Sequence, residues 1–282
     1  MQNMNPGTRQ ELASTAYREL YRSTVYHSPA ITPISPSRSE LDVSIFVACY
    51  NEEGNIIDAM EMVVSAMTEV ACSWEIIVID DASSDKSVSL VKQFMSAHPD
   101  YPITLVVREE NQGLAQNYIE GAFLGRGKYY KLVCGDNVEA REQLVSVLRH
   151  MGEVDMVIPY FVQSVGRSFF RMTVSRTFTF LVNLVSGYQM RYYNGVGVFQ
   201  RYDVMRWHTN YHGFSFQADL ITRLLDQGKT YIEIPGETKE RASGSSKALT
   251  MKNFLSVAHF FLDLAIRRVG RVYRRSGTGP TA

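Results

Sequence analysis

Long apolar runs and paired cysteines are both missing from this sequence. No stretch reaches about 18 uninterrupted apolar residues, so we expect no membrane-spanning helix. The first 40 residues also lack the continuous apolar segment of a secretory signal. The three cysteines are an odd number without paired spacing, which argues against a disulfide framework. Such cysteine usage is typical of a reducing compartment, so we expect a cytoplasmic protein.

The sequence also has no net charge. The 282 residues contain 29 Lys and Arg and 29 Asp and Glu, which sum to zero and argue against a nucleic-acid partner. The charge is unevenly spread, because the chain from Lys247 onward carries seven basic residues and one acid, Asp263. The C-terminal end is therefore strongly basic.

Glycine-rich phosphate loops are absent as well. The sequence contains no G-x-x-x-x-G-K-[ST], which argues against a P-loop. No G-x-G-x-x-G follows the first predicted strand, which argues against a dinucleotide fold. The first loop instead reads ACYNEEGN, so carboxylates and aromatic side chains are expected to bind the ligand.

The chain divides into three predicted parts. Residues 1–40 are polar and rich in proline, which predicts a mobile or loosely docked arm. From Val43, buried strands and amphipathic helices alternate four times, which predicts an α/β domain over 41–247 with a mainly parallel sheet covered by helices on both faces. Residues 248–282 are predicted to form an amphipathic basic helix and a tail.

Polar clusters follow the predicted strands where each one ends. They are Tyr50-Asn51-Glu52, Asp80-Asp81, Arg108 with Asn111, and Gly135-Asp136-Asn137. Ligands of open parallel sheets bind beyond the carboxyl ends of the strands. The sequence therefore predicts one binding site at this edge of the sheet.

Three segments carry a family resemblance. VSIFVACYNEEGNI, EIIVIDDASSDKS and NQGLAQNYIEGAFLGRGKYYKLVCGDN resemble family 2 glycosyltransferases of the GT-A, Rossmann-like fold. SRTFTFLVNLVSGYQMRYYNGVGVFQR and GFSFQADLITRLLDQGKTYIEIPGETKERASGSSK are similar to the branch that contains dolichyl-phosphate mannose synthase and other polyprenyl-phosphate glycosyltransferases. The R-x-x-G-x-S-K segment from Arg241 to Lys247 is the most specific part of this resemblance.

The resemblance implies a nucleotide-sugar site at the strand ends. Tyr50 can stack on or border a base, Asp81 can accept from its N–H groups, and Gly113 lets the backbone approach closely. The full implied set is Ala48, Tyr50, Glu52, Asp80, Asp81, Gly113 and Asn137. The alternatives for Asp80-Asp81 and Gly113 are a helix-capping turn and a plain turn glycine.

Asp136 is the predicted metal ligand. A departing nucleoside diphosphate is stabilised by Mg²⁺ or Mn²⁺, which prefer oxygen ligands. The family usually supplies D-x-D, whereas this chain reads C-G-D-N, with Cys134 in place of the first acid. Thiolate is a poor Mg²⁺ ligand, so we expect Cys134 to serve packing. The alternatives are a turn aspartate and a non-catalytic, nucleotide-sugar-binding paralogue.

The predicted acceptor is a polyprenyl phosphate. Such a phosphate is already anionic at pH 7, with a second pKa of about 6, so it needs positive charge more than a base. Arg241 and Lys247 supply that charge and Ser246 a donor, with Arg176 as a further candidate. Asp219 lies where relatives carry an acid near the acceptor; it is predicted to orient a hydroxyl or act as base, or else to be a helix-start charge.

The C-terminal helix predicts a membrane surface as partner. Its apolar residues recur at helical spacing and its last turns are rich in arginine, which favours peripheral docking on the anionic cytoplasmic face of a membrane. The alternatives are a helix that packs on its own domain and a helix held by a membrane partner protein. The Phe-rich segment 168–185 is expected to lie beside it as a groove for an isoprenoid tail.

The combined prediction is an inverting, metal-dependent transfer of a hexose from a nucleotide sugar, of the GDP-mannose or UDP-glucose type, to a polyprenyl phosphate. Asp136, Asp219 and Arg241 are its predicted catalytic residues. A second interpretation keeps the fold but uses a glycan hydroxyl as acceptor, which would require a base. A third is binding of a nucleotide sugar without turnover, and a nucleotidyltransferase is a distant fourth.

Overall fold

The structure is a computed structural model. It describes residues 23–28, 41–164, 169–207, 215–238 and 251–276. The strands are β1 (Ser23–His27), β2 (Leu41–Cys49), β3 (Trp74–Asp80), β4 (Ile103–Arg108), β5 (Gly127–Cys134), β6 (Met156–Ser164), β7 (Val198–Gln200) and β8 (Tyr231–Thr238). The helices are α1 (Ile56–Val70), α2 (Ser87–Ala97), α3 (Leu114–Leu124), α4 (Arg141–Arg149), α5 (Phe169–Ser186), α6 (Arg201–Arg206), α7 (Phe216–Asp226) and α8 (Met251–Ser276).

Across the described ranges, eight strands form one sheet in the order β1-β4-β3-β2-β5-β7-β6-β8. Strands β4, β3, β2 and β5 are parallel neighbours, and β8 is parallel to β6. Strands β1 and β7 run antiparallel to the strands they pair with. The predicted α/β fold with a mainly parallel sheet is therefore confirmed.

Strand β1 lies within the segment predicted to be a mobile arm. It pairs antiparallel with β4, with Ser23 opposite Arg108 and His27 opposite Thr104. Just beyond the strand, the Ser28 amide donates to the Ile103 carbonyl at 2.8 Å and the Ile103 amide donates to Ser28 Oγ at 3.1 Å. Residues 23–28 thus belong to the sheet, whereas residues 1–22 and 29–40 lie outside the described residues.

The core has one apolar layer on each face of the sheet. Strand β2 shows why its sequence is continuously apolar: Ile45 and Val47 pack in the layer with α1, α2 and α4, whereas Phe46 packs in the layer with α3, α7 and α8. A strand buried on both faces has no polar side to alternate with its apolar side. Strands with this pattern end at polar loops, and those loops form the candidate site.

Helix α8 packs on the domain through one of its faces. Phe260 and Leu264 are fully buried. The Phe178 ring of α5 lies 6.1 Å from the Phe260 ring and 5.8 Å from the Phe261 ring, measured between centroids. Helix α5 therefore lies beside α8. No helix within the described ranges combines the length and apolar character needed to cross a bilayer.

Candidate functional site

The carboxyl ends of β2, β3 and β5 meet at one edge of the sheet. Cys49 lies opposite Asp80 in the register of β2 and β3, and Ala48 lies opposite Cys134 in that of β2 and β5. The Asp81 amide donates to the Cys49 carbonyl at 2.9 Å, and the Gly135 amide donates to the Ala48 carbonyl at 2.8 Å. The loops that carry Tyr50, Asp81 and Asp136 therefore start side by side.

The loop after β2 is bonded to the loop after β3. The Asn51 amide donates to Ser83 Oγ at 2.8 Å, and the Ser84 amide donates to Asn51 Oδ1 at 2.8 Å. The Glu53 amide donates to Asp85 Oδ2 at 3.0 Å. Asn51 has a φ of 54°, a left-handed conformation that asparagine tolerates better than most residues. These reciprocal bonds fix the loop on which Tyr50 lies, with 39% of its surface exposed.

Asp81 joins the loop after β3 to the start of α3. Its Oδ1 accepts from the Gln112 amide at 2.8 Å, and its Oδ2 accepts from the Gly113 amide at 2.9 Å. Gly113 has a φ of 84°, which favours glycine, so its identity is required by the backbone. Asp81 is buried, yet a carboxylate has about four lone-pair sites, so two bonds leave acceptor capacity for a ligand.

Asp80 and Glu52 support the same loops. Asp80 is buried, and its Oδ1 accepts from the Ser83 amide at 3.0 Å. Burial raises the pKa of Asp80, and hydrogen bonds from Ser83 oppose this effect. Glu52 accepts from Asn55 Nδ2 at 2.7 Å, and its amide donates to Ser87 Oγ at 2.9 Å. Both acids therefore support the loops that follow β2 and β3.

Asp136 lies on a tight turn after β5. A Cβ atom on Gly135 would lie 2.7 Å from the Ala48 carbonyl oxygen, so a side chain at this position would clash with backbone. Asn137 has a φ of 53°, and its amide donates to the Cys134 carbonyl at 3.3 Å. The Val138 amide donates to Asp136 Oδ1 at 3.4 Å. The turn thus fixes Asp136 beside the end of β2.

The residues of this turn fit a divalent cation only in part. Among the described residues, no group of three or more His, Cys, Asp or Glu is placed to hold a metal ion. Burial, followed by the Asp136 charge, raises the pKa of the Cys134 thiol. Sulfur is in addition a poor ligand for a hard cation such as Mg²⁺. Mg²⁺ can nevertheless bind through one carboxylate together with substrate phosphates. Asp136 fits that arrangement.

Asp219 lies in the protein interior, where the charges of two arginines compensate its own. It is 0% exposed, and it accepts from Trp207 Nε1 at 2.9 Å, Arg223 Nε at 2.9 Å and Arg267 Nη2 at 2.9 Å. Burial raises the pKa of Asp219, and the charge of Arg223 is the largest opposing effect. This environment differs from the one predicted for a base or a hydroxyl-orienting acid, and it favours a structural role.

Only one of the predicted phosphate-binding residues lies in the part of the chain that the structure describes. Arg241, Ser246 and Lys247 lie outside the described residues. Arg176 is exposed on α5. Arg267 and Arg268, which the sequence assigns to the basic end of the C-terminal helix, pair instead with acids of their own domain. Arg267 bonds Asp219, Asp226 and Asp263, and Arg268 bonds Asp226 at 2.6 Å.

Comparison with known proteins identifies the family. The model of the family described as "Glycosyl transferase family 2" matches residues 44–213, which is more than half of the chain. The chain belongs to glycosyl transferase family 2. The matched range runs from Ser44, within β2, through β7, and it contains the three loops described above.

Two relatives belong to the polyprenyl-phosphate branch of the family. The undecaprenyl-phosphate 4-deoxy-4-formamido-L-arabinose transferase of Pectobacterium carotovorum subsp. carotovorum (strain PC1) is 24% identical over 223 residues, which cover 79% of this chain and 66% of that protein. The dolichol-phosphate mannosyltransferase of Saccharomyces cerevisiae is 33% identical over 97 residues, which cover 34% of this chain and 35% of that protein. The chain thus spans slightly less than two thirds of the length of the first relative.

A solved structure supports the fold. The mannosyltransferase PcManGT from Pyrobaculum calidifontis, in complex with GDP-Man and Mn²⁺, matches with a TM-score of 0.54 and 17% identity. The match covers 98% of this family 2 chain and 84% of that protein. At this identity the likeness is evidence for the fold alone, and it confirms the GT-A arrangement of the sheet.

The sequence prediction missed the bonds by which several polar residues shape the site. Asn51, Ser83 and Asp85 bond the first two loops together, and Gln112 supplies an amide to Asp81. The visible signal was the cluster of Asn, Asp and Ser residues after each strand, which is typical of side-chain bonds to nearby backbone. The pattern does not reveal that these bonds cross from one loop to the next.

Proposed function

We propose that this family 2 protein transfers a hexose from a nucleotide sugar to a polyprenyl phosphate, with inversion at C1 of the sugar. Membership of the family and the printed activities of its relatives support this proposal. The observation that carries it is the convergence of the loops after β2, β3 and β5 at one edge of the sheet. Tyr50, Asp81 and Asp136 lie on these three loops.

For the donor, we assign the base and ribose to Tyr50, Asp81 and Glu52. The Tyr50 side chain is 39% exposed at this edge and would border the base, and Asp81 retains lone pairs for an N–H of the base. Gly113 allows the diphosphate to approach the backbone at the start of α3. Ala48, Asp80 and Asn137 support the same loops from the strand ends. GDP-mannose and UDP-glucose are both candidate donors.

The donor diphosphate would be held with a divalent cation, Mg²⁺ or Mn²⁺, at Asp136. When bound, the cation neutralises the charge of the departing diphosphate. Asp136 would supply one carboxylate, with Asn137 beside it, and the diphosphate oxygens would complete the ligand set. The Mn²⁺ in the GDP-Man complex of PcManGT supports a divalent cation beside the donor.

For the acceptor, the buried state of Asp219 favours a phosphate over a hydroxyl. A hydroxyl nucleophile needs a general base, and Asp219 is enclosed by Trp207, Arg223 and Arg267. A lipid phosphate is anionic at pH 7 and attacks C1 without a base. We assign its binding to Arg241, Ser246 and Lys247, with Arg176 as a further contact.

A polyprenyl acceptor implies a membrane, and we place the protein peripherally on its cytoplasmic face. Helix α8 exposes a stripe of apolar side chains at helical spacing, namely Leu255, Leu262, Ile266 and Val269. Helix α5 exposes Phe180 and Leu184. Exposed apolar side chains followed by basic residues, such as Arg271, Arg274 and Arg275 in the sequence, are typical of helices that lie in a membrane interface.

A donor screen followed by a transfer assay tests the proposal. Thermal unfolding is measured with MnCl₂ and with GDP, UDP, GDP-mannose or UDP-glucose. We expect stabilisation by one base only, and loss of that stabilisation in Asp81→Ala. The selected donor is then incubated with undecaprenyl phosphate or dolichyl phosphate, and glycolipid formation is measured.

Each other outcome has a distinct meaning. Donor binding without transfer to any acceptor would support the non-catalytic paralogue, for which the replacement of the first D-x-D acid by Cys134 is the supporting feature. Transfer to glycan hydroxyls but not to lipid phosphates would support the second interpretation. No stabilisation by any of the four nucleotides would contradict the proposed donor site.

A further inference from the structure

Lys131 is a lysine in the interior of a central strand. It lies on β5, with Ile45 of β2 and Val198 of β7 opposite it in the two registers. Its surface is 0% exposed. A buried ammonium is unfavourable unless an opposite charge and hydrogen bonds compensate it. A lysine at this position therefore needs a specific partner.

That partner is Glu139, on the far side of the turn that carries Asp136. Lys131 Nζ donates to Glu139 Oε1 at 2.8 Å and Oε2 at 2.9 Å, and to the Leu132 carbonyl at 2.9 Å. An ammonium has three N–H donors, so these three bonds account for all of them. The pair encloses residues 132–138, which include the metal turn.

Lys131 is also close to the turn that carries Asp136. Its partner Glu139 comes three positions after Asp136 in the sequence, and the Val138 amide between them donates to Asp136 Oδ1 at 3.4 Å. Glu139 therefore fixes and neutralises a buried cation at the base of the turn to which the divalent cation is assigned.

We propose that Glu139 is a positioning residue for metal binding, because it holds the Lys131 ammonium away from Asp136. This inference rests on the proposed function, in which Asp136 takes a divalent cation. Without Glu139, the ammonium is free to turn toward Asp136 and to compete with the cation for its carboxylate. The pair therefore tunes the charge of the turn in a chain that has only one acid in its C-G-D-N motif.

Nucleotide binding with and without Mn²⁺ tests this inference. Isothermal titration calorimetry measures the Kd of UDP and of GDP in EDTA and in MnCl₂, and the ratio of the two values gives the gain from the metal. In Glu139→Gln we expect this gain to fall by about 10- to 100-fold, the size typical of changes around metal ligands. The Kd in EDTA should stay close to the wild-type value, because the proposed nucleotide contacts are unchanged.

Two further variants separate charge competition from a purely structural role. Lys131→Met removes the competing cation, so its gain from Mn²⁺ should stay at least as large as in the wild type. The double variant Lys131→Met/Glu139→Gln should recover the gain that Glu139→Gln loses. Glu75→Gln is a matched control, because Glu75 forms a buried pair with Arg126 at the opposite edge of the sheet. This control should keep the full gain.

The outcomes that overturn the inference are specific. If Lys131→Met and Glu139→Gln lose the gain in nucleotide affinity from Mn²⁺ to the same extent, the pair acts by holding the turn in place. Competition of the ammonium with the cation would then be ruled out. A full gain in Glu139→Gln would also overturn it. If Glu139→Gln does not fold, the other two variants decide. Loss of the affinity gain from Mn²⁺ in Lys131→Met or in the double variant overturns the inference. A wild-type protein that binds nucleotide equally in EDTA and Mn²⁺ would refute the metal assignment in the proposed function, and the inference with it.

Discussion

The carboxylate of Asp219 lies 2.9 Å from Nη2 of Arg267, although 48 positions separate the two residues in the sequence. This pair joins α7 to α8. Asp263 extends the junction, because it bonds both Arg223 and Arg267 at 2.9 Å. The C-terminal helix is therefore fixed to the domain by buried charges as well as by Phe260 and Leu264.

Asp219→Asn should act mainly on stability. Loss of this charge removes the fully buried partner of Arg223 and Arg267, which keep the partly exposed Asp226 and Asp263. The cost should therefore lie at the lower end of the about 3–5 kcal/mol typical of a broken buried pair. We expect the free energy of unfolding to fall by an amount of this order, while turnover of the folded fraction changes little. Urea denaturation and steady-state kinetics measure the two effects.

Asp263→Asn is the matched control for Asp219. Its side chain is 30% exposed and meets the same two arginines, so the substitution should cost less than Asp219→Asn because solvent screens the lost charge. A stable Asp219→Asn protein whose turnover has nearly vanished would contradict the structural role. It would support a general base and hence a hydroxyl acceptor.

His27 should make the attachment of β1 sensitive to pH. Partial desolvation, followed by the Arg126 charge, lowers the pKa of His27 below its usual 6.5, but His27 lies at the exposed end of β1, so the effect on stability should be small. Because the unfolded chain then binds the proton more readily, the stabilising contribution is present above about pH 6.5 and is lost as the pH falls below it. We expect the melting temperature to decrease between pH 7.5 and 5.5.

His27→Gln isolates this effect from the other histidines. The Nδ1 atom of His27 lies 3.1 Å from Thr104 Oγ1, and glutamine can keep a polar contact there without titrating. The melting temperature of the variant should depend less on pH over the same interval. An identical pH dependence in the two proteins would show that His27 does not contribute.

The sequence predicted the central strands better than the edge of the sheet. Strands β2, β3, β4 and β5 are visible as apolar runs because both of their faces are buried. Strand β1 has only five residues in a polar, proline-rich region, and it is held by β4, about 80 positions later. A pairing over that distance leaves no local signal in the sequence.

In the candidate site, too, contacts between distant positions could not be predicted from the sequence. Tyr50, Asp81 and Asp136 were visible because each follows a buried strand. The surroundings of Asp219 were not, because its partners Trp207 and Arg267 come from other elements. Lys131 was detectable in principle, since a lysine within the apolar strand YYKLVC is a charge that requires a partner.

Asp136→Asn and Cys134→Ala should have opposite outcomes. Asp136 is the assigned metal ligand, so its loss should lower kcat by about 10²-fold or more, the scale of a lost electrostatic contact in a transition state. Sulfur is a poor ligand for a hard cation, so Cys134→Ala should keep activity and the Mn²⁺ requirement within about threefold, a difference of less than 1 kcal/mol. Initial rates over a MnCl₂ titration measure both.

Asp42→Asn is a control for removal of a carboxylate. Asp42 lies near the start of β2, at the opposite edge of the sheet, where it accepts from the Ser73 amide and hydroxyl. Its substitution should leave the Mn²⁺ dependence unchanged. A Cys134→Ala protein that loses its Mn²⁺ requirement would instead make the sulfur part of the metal site.

The exposed stripe of α8 gives the last prediction. Leu262 and Ile266 are each 61% exposed, and burial of such a side chain in an apolar medium contributes about 1.5–3 kcal/mol. Leu262→Glu/Ile266→Glu should therefore weaken binding to vesicles that contain anionic lipids by more than tenfold, without lowering the melting temperature. Co-sedimentation measures the binding.

Phe123→Glu provides the comparison that makes this result specific. Phe123 is 54% exposed on α3, outside α5 and α8, so a glutamate there adds half the charge of the double variant to an apolar position without altering the proposed membrane surface. It should bind vesicles as the wild type does. If both variants lose vesicle binding equally, the added negative charge explains the loss. If neither variant loses vesicle binding, a membrane partner protein is favoured over direct contact between α8 and lipid.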